Sequence, residues 1–133
     1  MMATKRLTLD LLPERMAIAR LGPRDDVPAW AQAGALVSVT RTPTELSIVC
    51  ETALVPAEIQ AERDYGCLRV LGPLSFAQTG ILASLADPLA RANISIFALS
   101  TYDTDYLLVH ERELDAARAC LTEAGHHVQT VTA

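Results

Sequence analysis

The sequence predicts an α+β fold of βαββαβ order in its second half, preceded by a shorter copy of related order. Two observations point there: helical spacing of apolar residues at Ile81, Leu82, Leu85 and Leu89 and at Leu114, Ala117, Leu121 and Ala124, and short β-rich runs between and around these stripes. A third is an internal repeat. Leu21-Gly22-Pro23 recurs as Leu71-Gly72-Pro73, and Thr44-Glu45…Val49…Glu51 recurs as Thr104-Asp105…Val109…Glu111.

Taken in order, Arg6 to Leu12 alternates loosely up to Pro13 and reads as a strand, and Met16 to Leu21 reads as another, closed by Gly22-Pro23. Pro28 suits the first turn of a short helix and Gly34 its end, with Trp30 covering a small core. Leu36 to Thr40 and Leu46 to Cys50 form a hairpin across Arg41-Thr42-Pro43-Thr44. Pro56 to Glu62 is expected to be a brief helix, and Asp64-Tyr65-Gly66 a turn into the strand Cys67 to Leu71. Then come helix 79–92, strand 94–100, a hairpin turn at 101–104, strand 105–110, helix 112–124 and a last strand 127–131. Pro88 cannot donate to Ser84, so a kink or break is expected near Asp87, and Asn93 suits a left-handed turn. The spans divide into a first unit over 1–62 and a second over 63–133.

Composition narrows the function. The chain has 133 residues, half of them hydrophobic, enough for one compact body or two small units without metal or disulfide. Its formal charge of −5 opposes binding to nucleic acid and anionic membrane. Cys50, Cys67 and Cys120 are odd in number and far apart, which fits buried thiols in a reducing compartment. Charges at Asp10, Glu14 and Arg15 interrupt the N-terminal stretch, so neither a signal peptide nor a membrane span is expected, and the reading is cytoplasmic. His110, His126 and His127 have no nucleophile at motif spacing, and His126-His127, just after Gly125, reads as a solvated helix end. No enzyme, metal site or cofactor is expected.

The stretch 71–106 holds the candidate site. A strand runs out at Gly72-Pro73, a polar turn Ser75-Phe76-Ala77-Gln78-Thr79-Gly80 follows, and a helix opens at Ile81. The first N–H groups of a helix lack intrahelical acceptors and sit at the positive end of its dipole, so an anion fits there. Thr79 is equally explained as an N-cap and Gly80 as a turn residue. An RNA-recognition domain would want basic and stacking residues where this hairpin reads Thr101-Tyr102-Asp103-Thr104-Asp105-Tyr106. A metal-carrying ferredoxin-like domain would want paired cysteines in the first turn.

LGPLSFAQTGILASLADPLARANISIFALSTYDTDYLLV resembles the ACT domain, most of all the small tandem-ACT proteins related to the cytosolic arginine sensor. In ACT domains an acidic-x-Pro-Gly turn before the first helix contacts an amino-acid effector; Phe76-Ala77-Gln78-Thr79-Gly80-Ile81 stands there, without the acidic residue and the proline. The resemblance implies ferredoxin-like units in tandem, with antiparallel sheets and helices on one face, the first a degenerate copy. It also implies a regulatory protein that holds an amino acid or related small metabolite at an interface between ACT units, forms a homodimer and acts on a separate regulated protein. The ligand-binding residues read from the turn and the hairpin are Phe76, Gln78, Thr79, Gly80, Ile81, Ser100, Thr101 and Asp103: backbone donors for a carboxylate, hydroxyls, and an acid for an ammonium. Phe76 is equally a helix staple and Asp103 an ordinary turn residue. The alternative is a non-catalytic protein-protein interaction module that binds no metabolite.

Overall fold

The computed structural model describes residues 6–72 and 79–131. Among them are eight strands, β1 (Thr8–Leu11), β2 (Met16–Leu21), β3 (Ser38–Arg41), β4 (Leu46–Glu51), β5 (Ala61–Val70), β6 (Phe97–Ser100), β7 (Asp105–His110) and β8 (His127–Thr130). The two α-helices are α1 (Ile81–Arg91) and α2 (Leu114–Glu123). The chain divides into two compact units, an inserted one, Glu14–Tyr65, and a discontinuous one, Met1–Pro13 with Gly66–Ala133. The boundary read from the sequence at 62/63 therefore lies close to the end of the insertion, while β1 belongs with the C-terminal half.

In the discontinuous unit the expected β-α-β-β-α-β order is present as β5-α1-β6-β7-α2-β8. Its strand order is β8-β1-β5-β7-β6, so β1 is wedged between the first and last strands of that order. It runs antiparallel to β5 and parallel to β8. Alternation puts Leu9 and Leu11 of β1 and Leu68 and Val70 of β5 on one face, where they meet Leu85 and Leu89 of α1 and Leu114, Ala117 and Leu121 of α2. Gly66 lies on β5 because a Cβ there would come within 2.8 Å of Leu114, so the strand yields space to α2. Asn93 takes the left-handed conformation expected of it, with φ of 60°.

Helix α1 runs unbroken through Pro88, contrary to the expected break. The Ser84 carbonyl that Pro88 cannot serve is met instead by Nε2 of His126, 3.1 Å away. Nδ1 of the same ring accepts the Leu7 N–H at 3.1 Å. His126 is therefore a 3% exposed clasp and not a solvated helix end, whereas His127 is exposed as expected. The expected strand 94–100 shortens to Phe97–Ser100, because the Ile94 N–H closes the end of α1 on the Leu89 carbonyl.

The inserted unit has strand order β3-β4-β2-β5. The helix expected from Pro28 is a single 3-10 turn, Ala29–Ala31, and Trp30 packs against a small core of Ala17, Ala19, Ala31, Leu46, Ile48, Cys50 and Val55. The helix expected over 56–62 does not form. Arg63 draws the carbonyls of Val55, Pro56 and Ile59 to its guanidinium at 2.8 to 3.1 Å, holding a single turn that the Ile59 N–H closes on the Pro56 carbonyl at 3.1 Å. Asp64-Tyr65-Gly66 is strand and not turn: Asp64, with φ of 66°, sits at a bulge where the β2–β5 register slips.

The repeat is present one residue out of the register that the sequence match gives. In the inserted unit, the Thr42 N–H donates to the Glu45 carbonyl at 2.9 Å and Thr42 Oγ1 takes the Glu45 N–H. In the other unit, the Thr101 N–H donates to the Thr104 carbonyl at 2.8 Å and Thr101 Oγ1 takes the Thr104 N–H. Thr42 thus corresponds to Thr101 and Glu45 to Thr104. The 3-10 turns after the hairpins, Thr52–Leu54 and Glu111–Glu113, keep the same correspondence.

Candidate functional site

Helix α1 begins at Gly80, whose φ of 76° is left-handed and whose position offers no side-chain cap. No acidic residue occupies the first turn. Around the place where a Cβ would stand on Gly80 there is no heavy atom of the described residues within 4 Å. Thr79 is exposed, and Ile81 is buried in the helix-covered core. Ile81 can therefore offer only its backbone N–H. Phe76 and Gln78 lie outside the described residues.

The hairpin is fixed to β5. Thr104, 8% exposed, donates its hydroxyl to the Val70 carbonyl at 2.6 Å, near the end of β5. That bond brings 101–104 beside the C-terminal end of β5. The hydroxyls expected to be free are spent inside the hairpin. Ser100 Oγ donates to Asp105 Oδ1 at 2.5 Å, and Thr101 Oγ1 to the Thr104 carbonyl at 3.1 Å. Asp103 is exposed on the turn. Chemically the arrangement offers backbone N–H groups from the helix start and carboxylates at Asp103 and Asp105 on the hairpin.

The ACT-domain family profile matches residues 60–123, and a second profile, that of an N-terminal domain, matches residues 14–58. Residues 60–123 of this chain are an ACT domain. The mouse cytosolic arginine sensor for mTORC1 subunit 1 is 45% identical over 42 residues, which are 32% of this chain and 13% of that protein. Human putative protein CASTOR3P is 56% identical over 36 residues, 27% of this chain and 22% of that one. The matched stretch thus covers under a quarter of either curated relative. A crystal structure of a protein from Agrobacterium tumefaciens is similar over almost the whole chain, at 38% identity and a TM-score of 0.91, covering 97% of this chain and 96% of that one. The regulatory subunit of aspartate kinase from Thermus flavus shares the fold, with a TM-score of 0.59 at 14% identity over 92% and 99% of the two chains. The ACT family is a regulatory one. Among the described residues no helix is long and apolar enough to cross a membrane, and no group of three or more His, Cys, Asp or Glu side chains is gathered for a metal.

One polar cluster of this ACT unit escapes sequence reasoning. Asp10 on β1, 5% exposed, accepts from Gln129 of β8 at 2.7 Å and from Arg69 of β5 at 3.0 Å. Both partners are its cross-strand neighbours. The Gln129 bond first and the Arg69 bond second hold its carboxyl below the usual carboxylate range. Arg69 is correspondingly raised, chiefly by its bond to Asp10, with Tyr106 beside it contributing. The available signal was an acid between Leu9 and Leu11, whose faces alternate. Burial first, then the charge of Glu51, pushes the Cys50 thiol up.

Proposed function

We propose that the protein is a regulatory sensor that holds an amino acid or a related small metabolite at the start of α1, and that it is not an enzyme. The observation that carries this is the beginning of that helix, where among the described residues no side chain caps the backbone and nothing stands within 4 Å of where a Gly80 Cβ would be. The ligand carboxylate takes N–H groups of Thr79, Gly80 and Ile81, with Gln78 and Phe76 as further candidate contacts from the sequence. Asp103, on a hairpin fastened to β5 through Thr104, meets the ammonium, and Ser100 and Thr101 hold the hairpin in shape. The active form is read as a cytoplasmic homodimer in which ACT units meet at the ligand, acting on a separate regulated protein. Supporting this, one curated relative is named as an arginine sensor.

Thermal denaturation against the proteinogenic amino acids and their metabolites tests it. A ligand at a hundred times its Kd stabilises the native state by about 2.7 kcal/mol, a rise in Tm of several degrees for a chain of this size. Gly80→Ala and Gly80→Val, both strained at a left-handed φ, should abolish that rise while circular dichroism remains native. If no compound raises Tm, the protein is instead an interaction module whose complexes ignore added metabolites.

A further inference from the structure

We propose that the inserted unit carries a site of its own for a compact oxyanion, phosphate or dicarboxylate, in a cleft lined by Pro23, Arg24, Arg41, Thr42 and Pro43. The cleft has a volume of about 570 Å³, within the range of small-molecule sites. Two arginines line it, and among the described residues no acidic residue does. Arg41 is held in place because its Nη1 donates to the Pro23 carbonyl at 2.6 Å, and the other N–H groups of its fork make no bond among the described residues. Arg24 is exposed and has no partner among the described residues. The carboxylate next to it in sequence, Asp25, is turned back onto the Gly22 N–H at 2.8 Å. In a chain of formal charge −5, a pair of cations left unneutralised in one concavity is a place where an anion gains charge-assisted hydrogen bonds.

The walls are fixed before any ligand arrives. One is the turn Gly22–Asp25, closed by the Asp25 N–H on the Gly22 carbonyl at 3.1 Å. The other is the β3–β4 hairpin turn, closed by the Thr42 bonds to Glu45 and tied to β2 by Arg20 Nη2 on the Thr44 carbonyl at 3.1 Å. An ordered pair of walls spares the ligand the entropy of building them. The repeat adds an independent reason. A turn after a strand, facing a hairpin turn, is the inserted copy of the place formed by the β5 end and 100–104 in the other unit. By the same correspondence Arg41 stands where that unit has Ser100. The inserted unit thus carries a guanidinium at the position whose hydroxyl, in the other unit, is spent on Asp105.

Titration of the ¹⁵N-labelled whole chain with inorganic phosphate, at ionic strength held constant with chloride, tests this without reference to any amino-acid ligand. Saturable shifts are expected at the amides of Arg24, Arg41 and Thr42, with those of residues 79–105 unmoved. Arg24→Gln, which breaks no contact among the described residues, should weaken binding about tenfold, the loss of one charged hydrogen-bonding partner. Parallel titrations with malonate and with a nucleoside monophosphate distinguish a carboxylate from a phosphoryl ligand: the tighter of the two names the class. Shifts that grow linearly, that chloride alone reproduces, or that survive Arg24→Gln unchanged overturn the proposal.

Discussion

In the discontinuous unit two α-helices cover a sheet face of Leu9, Leu11, Leu68, Val70, Leu107 and Val109, whereas in the inserted unit the matching sheet is covered by a 3-10 turn and a loop. Both keep the same hairpin turn, with a threonine N–H and hydroxyl clasping the residue three positions on, and the same 3-10 turn after it. The part that varies is the cover. Where helices supply large side chains, the core is built of leucine; where they are missing, Ala17, Ala19 and Ala31 let backbone approach backbone, and Arg63 gathers three loop carbonyls. The hairpin is therefore separable from the helices that cover the other unit.

The sharpest way to break the comparison is to remove one buried group from each cover. Leu85 is fully buried beneath α1, and Leu85→Ala should cost about 3 kcal/mol, transfer and cavity together. Cys50 is equally buried in the inserted unit, but Cys50→Ala removes a single heavy atom and should cost about 1 kcal/mol. Urea denaturation of both variants measures this. Equal losses would mean that the two cores do not differ in the way their side chains indicate.

The clasp at His126 is peculiar to the helical unit and gives the next effect in size. His126→Ala leaves the Leu7 N–H and the Ser84 carbonyl without their partners and should cost about 2 kcal/mol. Pro88→Ala restores an N–H that can reach the Ser84 carbonyl along the helix, so in the His126→Ala background it should recover part of the loss. A double-mutant cycle should show a coupling of about 1 kcal/mol. Additive losses would show that His126 holds Leu7 alone.

These elements also mark how far the sequence could be read. The stripe at Ile81, Leu85 and Leu89, the stripe at Leu114, Ala117 and Leu121, and the positive φ at Asn93 and Gly125 follow from period and residue type, which are local properties. Helix 56–62 was misread because Pro56 to Glu62 has the local character of a helix, while the decision lies with Arg63 capturing carbonyls from the loop. Gly66 read as a turn because nothing local reveals that Leu114 needs its space. His126 read as solvent-facing because its partners come from Leu7 and Ser84, far along the chain. The helix start at Gly80 was legible from residue type, but the commitment of the hairpin hydroxyls was not, since Ser100 and Thr101 are engaged by geometry within the hairpin.

The smallest effect is electrostatic and belongs again to the discontinuous unit. Asp10 is held below its ordinary pKa by Gln129 and then Arg69, so the native state binds its proton less readily than the unfolded chain does. Its contribution is fully present above the usual carboxylate range and disappears as the pH falls through the depressed native value. Asp10→Asn keeps the shape of the side chain and removes the titration. The urea midpoint of the wild type should therefore fall more steeply than that of Asp10→Asn as the pH drops below about 4, where an unperturbed aspartate takes up its proton. Parallel acid limbs would show that the Asp10 bonds hold the strands in register without making stability depend on pH, and the cluster would then be equivalent to the uncharged cross-strand pairs of the inserted unit.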